Sequence, residues 1–147
     1  MRRSVATLVL TAAVVGCGGD DPLSTDDYRA ELRKICAESE RKTDGVEEPT
    51  RATPEAIADY LRRLRDVNVE TIEKVEELEP PEDLADAHDR ALSANREGRE
   101  KVDAVIQELE EGGDPTQVLA DARRDLEESS RAAKQAGEDL GVPECGD

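Results

Sequence analysis

The stretch TPEAIADYLRRLRDVNVETIEKVEELEPP, residues 53–81, decides the fold. Thr53 is a helix N-cap residue, and Pro54 follows at the first helical position, where its missing N–H is no loss. Glu55 then faces the positive end of the helix dipole. From there Ile57, Tyr60, Leu61, Leu64, Val67, Ile72, Val75 and Leu78 recur at the spacing of one apolar helix face. Pro80-Pro81 stops the helix.

The same grammar continues outward in both directions. Toward the C-terminus, a third helix takes Pro81, Glu82 and Asp83 as its first turn. It carries Leu84, His88, Ala91, Leu92, Asn95, Val102, Val105, Ile106 and Leu109 on one face, and Gly112-Gly113 closes it. A fourth opens at Asp114-Pro115 and carries Val118, Leu119, Ala122, Leu126, Ala133, Ala136 and Leu140. Gly141 stands where a C′ glycine belongs, with Pro143 beyond it. Toward the N-terminus, the first helix begins after Ser24 or Thr25, with Asp26 and Asp27 in its first turn. Tyr28, Leu32, Ile35 and Cys36 share its apolar face, and Gly45 and Pro49 end it.

Short connections make neighbours antiparallel, so residues 25–147 are expected to form an all-α, up-down four-helix bundle. The repeated cap-Pro starts argue against a long coiled-coil dimer, and a monomer is expected. Outward positions place an acid four residues before a base: Glu38–Lys42, Asp59–Arg63, Glu70–Lys74, Asp86–Arg90, Glu97–Lys101 and Glu127–Arg131. Each such pair contributes a few tenths of a kcal/mol.

Composition sets the outer limits. The 147 residues hold 37 acids against 20 bases, for a net charge of −17, with two tyrosines as the only aromatics. Nucleic acid is excluded as a partner, because no basic face can be assembled. A β-sandwich is disfavoured, since its strands want aromatic and β-branched residues.

Residues 1–16 stand apart. Arg2 and Arg3 precede the apolar run Val5 to Val15, which is too short for a bilayer span of about 20 residues and has the form of a signal peptide. The run ends Val14-Val15-Gly16-Cys17, which resembles the lipobox of bacterial lipoproteins. That resemblance implies cleavage before Cys17 and a thioether-linked diacylglycerol on its sulfur. It also implies attachment to the outer face of the cytoplasmic membrane, with residues 17–24 as a tether. Two or more acyl chains hold a protein stably where one does so marginally. With Cys17 acylated, Cys36 and Cys145 remain as an even pair in an exported chain, where disulfides persist. A Cys36–Cys145 bridge is expected.

The tail must climb to reach Cys36, which lies some eleven residues into the first helix. Either the fourth helix frays near Gly137, or the first starts lower than the fourth ends.

A second resemblance is carried by Asp27-Tyr28-Arg29-Ala30-Glu31-Leu32 with Ile35-Cys36, by Leu78-Glu79-Pro80-Pro81 and by Leu140-Gly141-Val142-Pro143-Glu144-Cys145. These stretches are similar to a group of small secreted or lipid-anchored actinobacterial proteins. The group implies a fold and a location, and no activity.

No catalytic constellation accompanies the single histidine, His88, which lies on an apolar face with no nucleophile alongside. A bundle histidine satisfied by a neighbour is the plain reading. Asn68 and Asn95 also fall on apolar faces, at similar distances from the Pro80-Pro81 turn. They either fix helix register, or lie at the boundary of the core, or form the polar floor of a small-ligand pocket with His88 nearby. Gly98, one turn on, permits a close helix approach or a kink. The acidic clusters lack the EF-hand pattern, and no His/Cys set has zinc spacing, so no metal and no cofactor are expected. Two functions remain: a non-enzymatic, lipid-anchored envelope module that binds a partner protein, or one that binds a small ligand within the bundle.

Overall fold

The computed structural model describes residues 23–146. The leader at 1–16, Cys17 and most of the tether lie outside the described residues. The chain is an up-down bundle of α1 (Thr25–Asp44), α2 (Pro54–Glu76), α3 (Ala85–Glu110) and α4 (Pro115–Leu140), followed by a 3₁₀ turn at Pro143–Gly146. At what we call the lower end, α1 and α3 begin and α2 and α4 finish.

The caps explain the boundaries. Ser24, Thr53 and Asp114 each accept a backbone N–H of the first turn they precede. Pro54 and Pro115 follow two of them. Gly141 ends α4 at φ 75°, a left-handed conformation suited to glycine. Val142 N–H then reaches Gly137 O at 2.8 Å and Gly141 N–H reaches Glu138 O at 3.0 Å, the paired bonds of a Schellman motif.

The start of the third helix differs from expectation. Residues 81–84 form a turn, closed by Leu84 N–H on Pro81 O at 2.9 Å, and α3 begins only at Ala85 with no side-chain cap. Asp83 is engaged elsewhere, accepting from Thr25 Oγ1 at 3.2 Å, while Leu84 is drawn into the core.

Two separate apolar cores result. The lower one gathers Tyr28, Leu32, Leu84, Ala87, Ala91, Ala136, Leu140 and Val142, from α1, α3, α4 and the tail. The upper one gathers Ala58, Val105, Ile106, Leu109 and Val118, from α2, α3 and α4 alone. Leu119, expected in the core, is 37% exposed.

The Cys36–Cys145 disulfide is present, with Cα atoms 5.4 Å apart. The fourth helix does not fray at Gly137; instead the first starts lower than the fourth ends. Arg29 Nε donates to Leu140 O at 2.9 Å and Arg33 to Gly141 O at 3.3 Å, so the end of α4 stands one to two turns up α1. The tail then folds back across α4. A Cβ on Gly146 would meet Lys134 Cα at 2.4 Å, so only glycine fits this crossing.

Of the six expected helix-face ion pairs, Glu38–Lys42, Asp59–Arg63 and Glu70–Lys74 form. Arg90 instead reaches across to Asp139, Lys101 to the carbonyl of Asp125, and Glu127 accepts from Arg123. The first and third pairs join into one network between α1 and α2, closed by Lys74–Glu38 at 2.7 Å and by Lys42–Glu70. Hydrogen bonds from Lys74 and Lys42 hold the Glu38 carboxyl down at about 2.

Candidate functional site

Between the two cores the inward positions turn polar or small. Ser39 of α1, Thr71 and Asn68 of α2, Asn95 of α3 and Ser129 and Ser130 of α4 form a waist. Thr71 Oγ1 lies 2.9 Å from Ser39 Oγ and 2.8 Å from Val67 O, which ties α1 to α2 at this level. Below the waist α1 packs on α2 and on the tail. At the waist and on its lower side, α1 leaves a gap toward α4.

That gap is a cleft of about 560 Å³. Leu32 and Cys36 of α1, Ile72 and Val75 of α2, Ala91 and Leu92 of α3, and Ala133, Ala136 and Leu140 of α4 give it aliphatic walls. Val142, Cys145 and Gly146 close its lower side, so the disulfide-held tail is one of its walls. Asn68 and Asn95 both line it, and Glu40, Thr43, Asp44 and Glu144 stand at its rim. A second cavity of about 310 Å³ lies between α2, α3 and α4. It shares Asn68, Asn95, Ser130 and Ala133 with the first, so the two meet at the waist.

Asn68 and Asn95 both line the two cavities where these meet at the waist. Asn95 Nδ2 donates to Ala91 O at 2.9 Å, within its own helix. Among the described residues no hydrogen bond joins Asn68 to Asn95, and the Asn68 amide has no protein partner. Gly98 faces Ser129, whose Cβ would lie 3.5 Å from a Cβ built on the glycine, and α3 runs through it unbroken.

His88 does not belong to this floor, which corrects the expected grouping of Asn68, His88 and Asn95. It stands seven residues before Asn95, two turns down the same face and about 10 Å lower. There it is 5% exposed, and its Nδ1 shares a 2.6 Å hydrogen bond with the Tyr28 hydroxyl. The rings meet edge-on with centroids 6.0 Å apart. Burial lowers the histidine pKa, against the opposing pull of Asp89 and Glu76, and burial raises Tyr28 to about 12. Both groups are therefore neutral near pH 7, and they share this hydrogen bond as a neutral pair. Sequence reasoning missed this pair. The signal was available: Tyr28 and His88 are each the fourth residue of a helix that starts at the lower end.

Also missed were Arg29 and Arg33, which look like surface residues but satisfy the last carbonyls of α4; Arg33 further binds Glu144 at 2.7 Å. Among the described residues, no group of His, Cys, Asp and Glu is arranged to hold a metal, and no helix is long and apolar enough to cross a membrane.

No family model matches the chain, and no curated protein or solved structure is significantly similar to it.

Proposed function

We propose that the chain is a lipid-anchored, non-enzymatic envelope protein whose bundle holds a small ligand at its waist. The observation that carries this reading is the cleft. Its volume, about 560 Å³, falls in the range of small-molecule sites. Its make-up, aliphatic walls with a few convergent amides and hydroxyls, is that of a site that orients a mostly apolar molecule. The competing reading, capture of a partner protein, wants a contiguous exposed apolar patch. Among the described residues Leu119 is the one large hydrophobic side chain that is exposed.

A binding role rather than catalysis is supported by the fate of His88, buried with Tyr28 beneath the cleft and turned to structural use. The anchor rests on the resemblance of Val14-Val15-Gly16-Cys17 to a lipobox, and the disulfide is compatible with an exported chain. An acidic body on such a tether would be held off an anionic membrane surface by like charge.

Native mass spectrometry of protein taken from its own envelope tests this. The expected spectrum shows the acylated chain with an additional small molecule, lost when Ala133→Phe fills the junction of the two cavities. An adduct-free wild type, or an adduct indifferent to Ala133→Phe, defeats the pocket. An unmodified N-terminus with the protein in the soluble fraction defeats the anchor.

A further inference from the structure

The ligand's chemical class is written in the cations. Seven lysines and arginines of the described residues are half-buried: Arg29, Lys42, Arg62, Arg65, Lys74, Arg99 and Lys101. Six have an oxygen partner. Arg29 binds Leu140 O, Lys101 binds Asp125 O, and Arg62 binds Glu110 and Asp59. Lys42 and Lys74 share Glu38 and Glu70, and Arg65 binds Asp66 and Asp103. Arg99 has none: among the described residues no carboxylate or carbonyl engages it. In a chain with 37 acids to 20 bases, the solitary half-buried arginine is the exception to be explained.

Its isolation has a local cause. Asp103, one helical turn beyond Arg99, is its natural partner, but Arg65 Nη1 holds that carboxylate at 3.0 Å. Arg99 is left lining the smaller cavity beside Leu61, Leu64, Val102 and Leu126, where the other arginine of the wall, Arg65, is already paired with Asp66 and Asp103. An unpaired guanidinium against apolar walls is a fork for an oxyanion, able to donate two parallel hydrogen bonds. From this cavity the way leads past Asn68 and Asn95 into the larger cleft, which no lysine or arginine lines and whose rim carries Glu40 and Asp44. An anionic group is favoured at the Arg99 end and repelled at the other, while the walls of both suit hydrocarbon.

We infer that the two cavities together take one single-chain anionic amphiphile, its head on Arg99 and its alkyl chain running past Asn68 and Asn95 toward the tail. This rests on the pocket reading above and adds head-group sign, chain form and orientation. A free fatty carboxylate and an alkyl phosphate share this chemistry.

The test is calorimetric titration of the oxidised chain of residues 17–147, carrying Cys17→Ala so that it bears no acyl group, with decanoate, decyl phosphate, decanol and decyltrimethylammonium. A charge-assisted hydrogen bond of about 1.5–3 kcal/mol corresponds to about tenfold or more in Kd. Decanoate or decyl phosphate, or both, are expected to bind at least about tenfold more tightly than decanol, with the stronger of the two naming the head group. The ammonium is expected to bind weakest, although the net negative charge attracts it at long range. Arg99→Gln should abolish the preference for the anion and leave decanol binding unchanged. Arg124→Gln, which removes an equal charge from an exposed site, should change nothing. If decanol binds as well as the anions, or Arg124→Gln acts like Arg99→Gln, the head-group assignment falls while the pocket stands. If none of the four binds, the pocket reading falls with it.

Discussion

The lower end of the bundle is held by three helices and a tail, the upper end by three helices alone. Below, α1 brings Tyr28 and Leu32 into the core, a disulfide joins it to the tail, and Arg29 and Arg33 bind the end of α4. Above, the core is Ala58, Val105, Ile106, Leu109 and Val118, and α1 contributes nothing to it. The first helix is thus a full member of the bundle over its first half and a flank over its second. The cleft lies where it changes role. A chain poor in aromatic volume leaves such a gap because small and polar waist side chains cannot fill it.

The comparison makes the two ends separable by experiment. The largest effect is expected from removing the bridge. Cys36→Ser with Cys145→Ser should cost about 5 kcal/mol in the chain-entropy view, for a loop spanning 109 residues of sequence separation. Amide protection should fall chiefly in α1 and the last turns of α4. Equal loss in α2 and α3 at the upper end would show that the two cores melt as one. Next, Leu109→Ala, at 1% exposure in the upper core, should cost about 3 kcal/mol. Its loss of protection should spare Tyr28 and Leu32.

Tyr28→Phe keeps the ring and leaves Nδ1 of buried His88 without its hydrogen-bond partner, so a loss of about 1–2 kcal/mol is expected in thermal melts. A smaller effect concerns pH. The folded His88 pKa is lowered, so the unfolded chain takes up this proton first. The associated stability is fully present above the ordinary histidine pKa of about 6.5 and is lost as pH falls below it. Between about pH 7.5 and about pH 5.5 the wild type should therefore lose more stability than His88→Gln. An identical slope in both would remove His88 as the cause.

The smallest effect is expected at the waist. Asn68→Leu and Asn95→Leu should be near neutral and additive within about 0.5 kcal/mol, because no hydrogen bond joins the two amides. A strong coupling in that cycle would mean that they meet through an unseen contact and act as a register pair.

The number, order and direction of the helices were legible because Thr53-Pro54, Asp114-Pro115 and Gly141 mark boundaries by local chemistry, which needs no knowledge of neighbours. The start of α3 was not, because its cue, Asp83, is taken by Thr25 from a helix 58 residues away. The ion pairs divide along the same line. Glu70–Lys74 forms within one helix, whereas the expected partner of Arg90 loses to Asp139 across an interface. At the site, the convergence of Asn68 and Asn95 followed from their distances to the Pro80-Pro81 turn. Neither the tail as a wall nor the isolation of Arg99 could be read that way. Both depend on which of several equivalent charges and turns a folded neighbour claims first.

The Cys36–Cys145 bond also has a mechanical meaning. Tension applied between Leu23 and Gly146 enters the first helix, reaches Cys36, and passes through a covalent bond to Cys145. The thirteen residue steps from Leu23 to Cys36 are nearly all that can be drawn out, about 45 Å of contour. The helices α2, α3 and α4 lie within the closed ring and bear none of the load. Pulled at the end that would carry its tether, the protein yields the lower half of α1 and keeps the upper core and the α2–α4 half of its waist unloaded. Reduced, the same chain passes the force to every helix in turn.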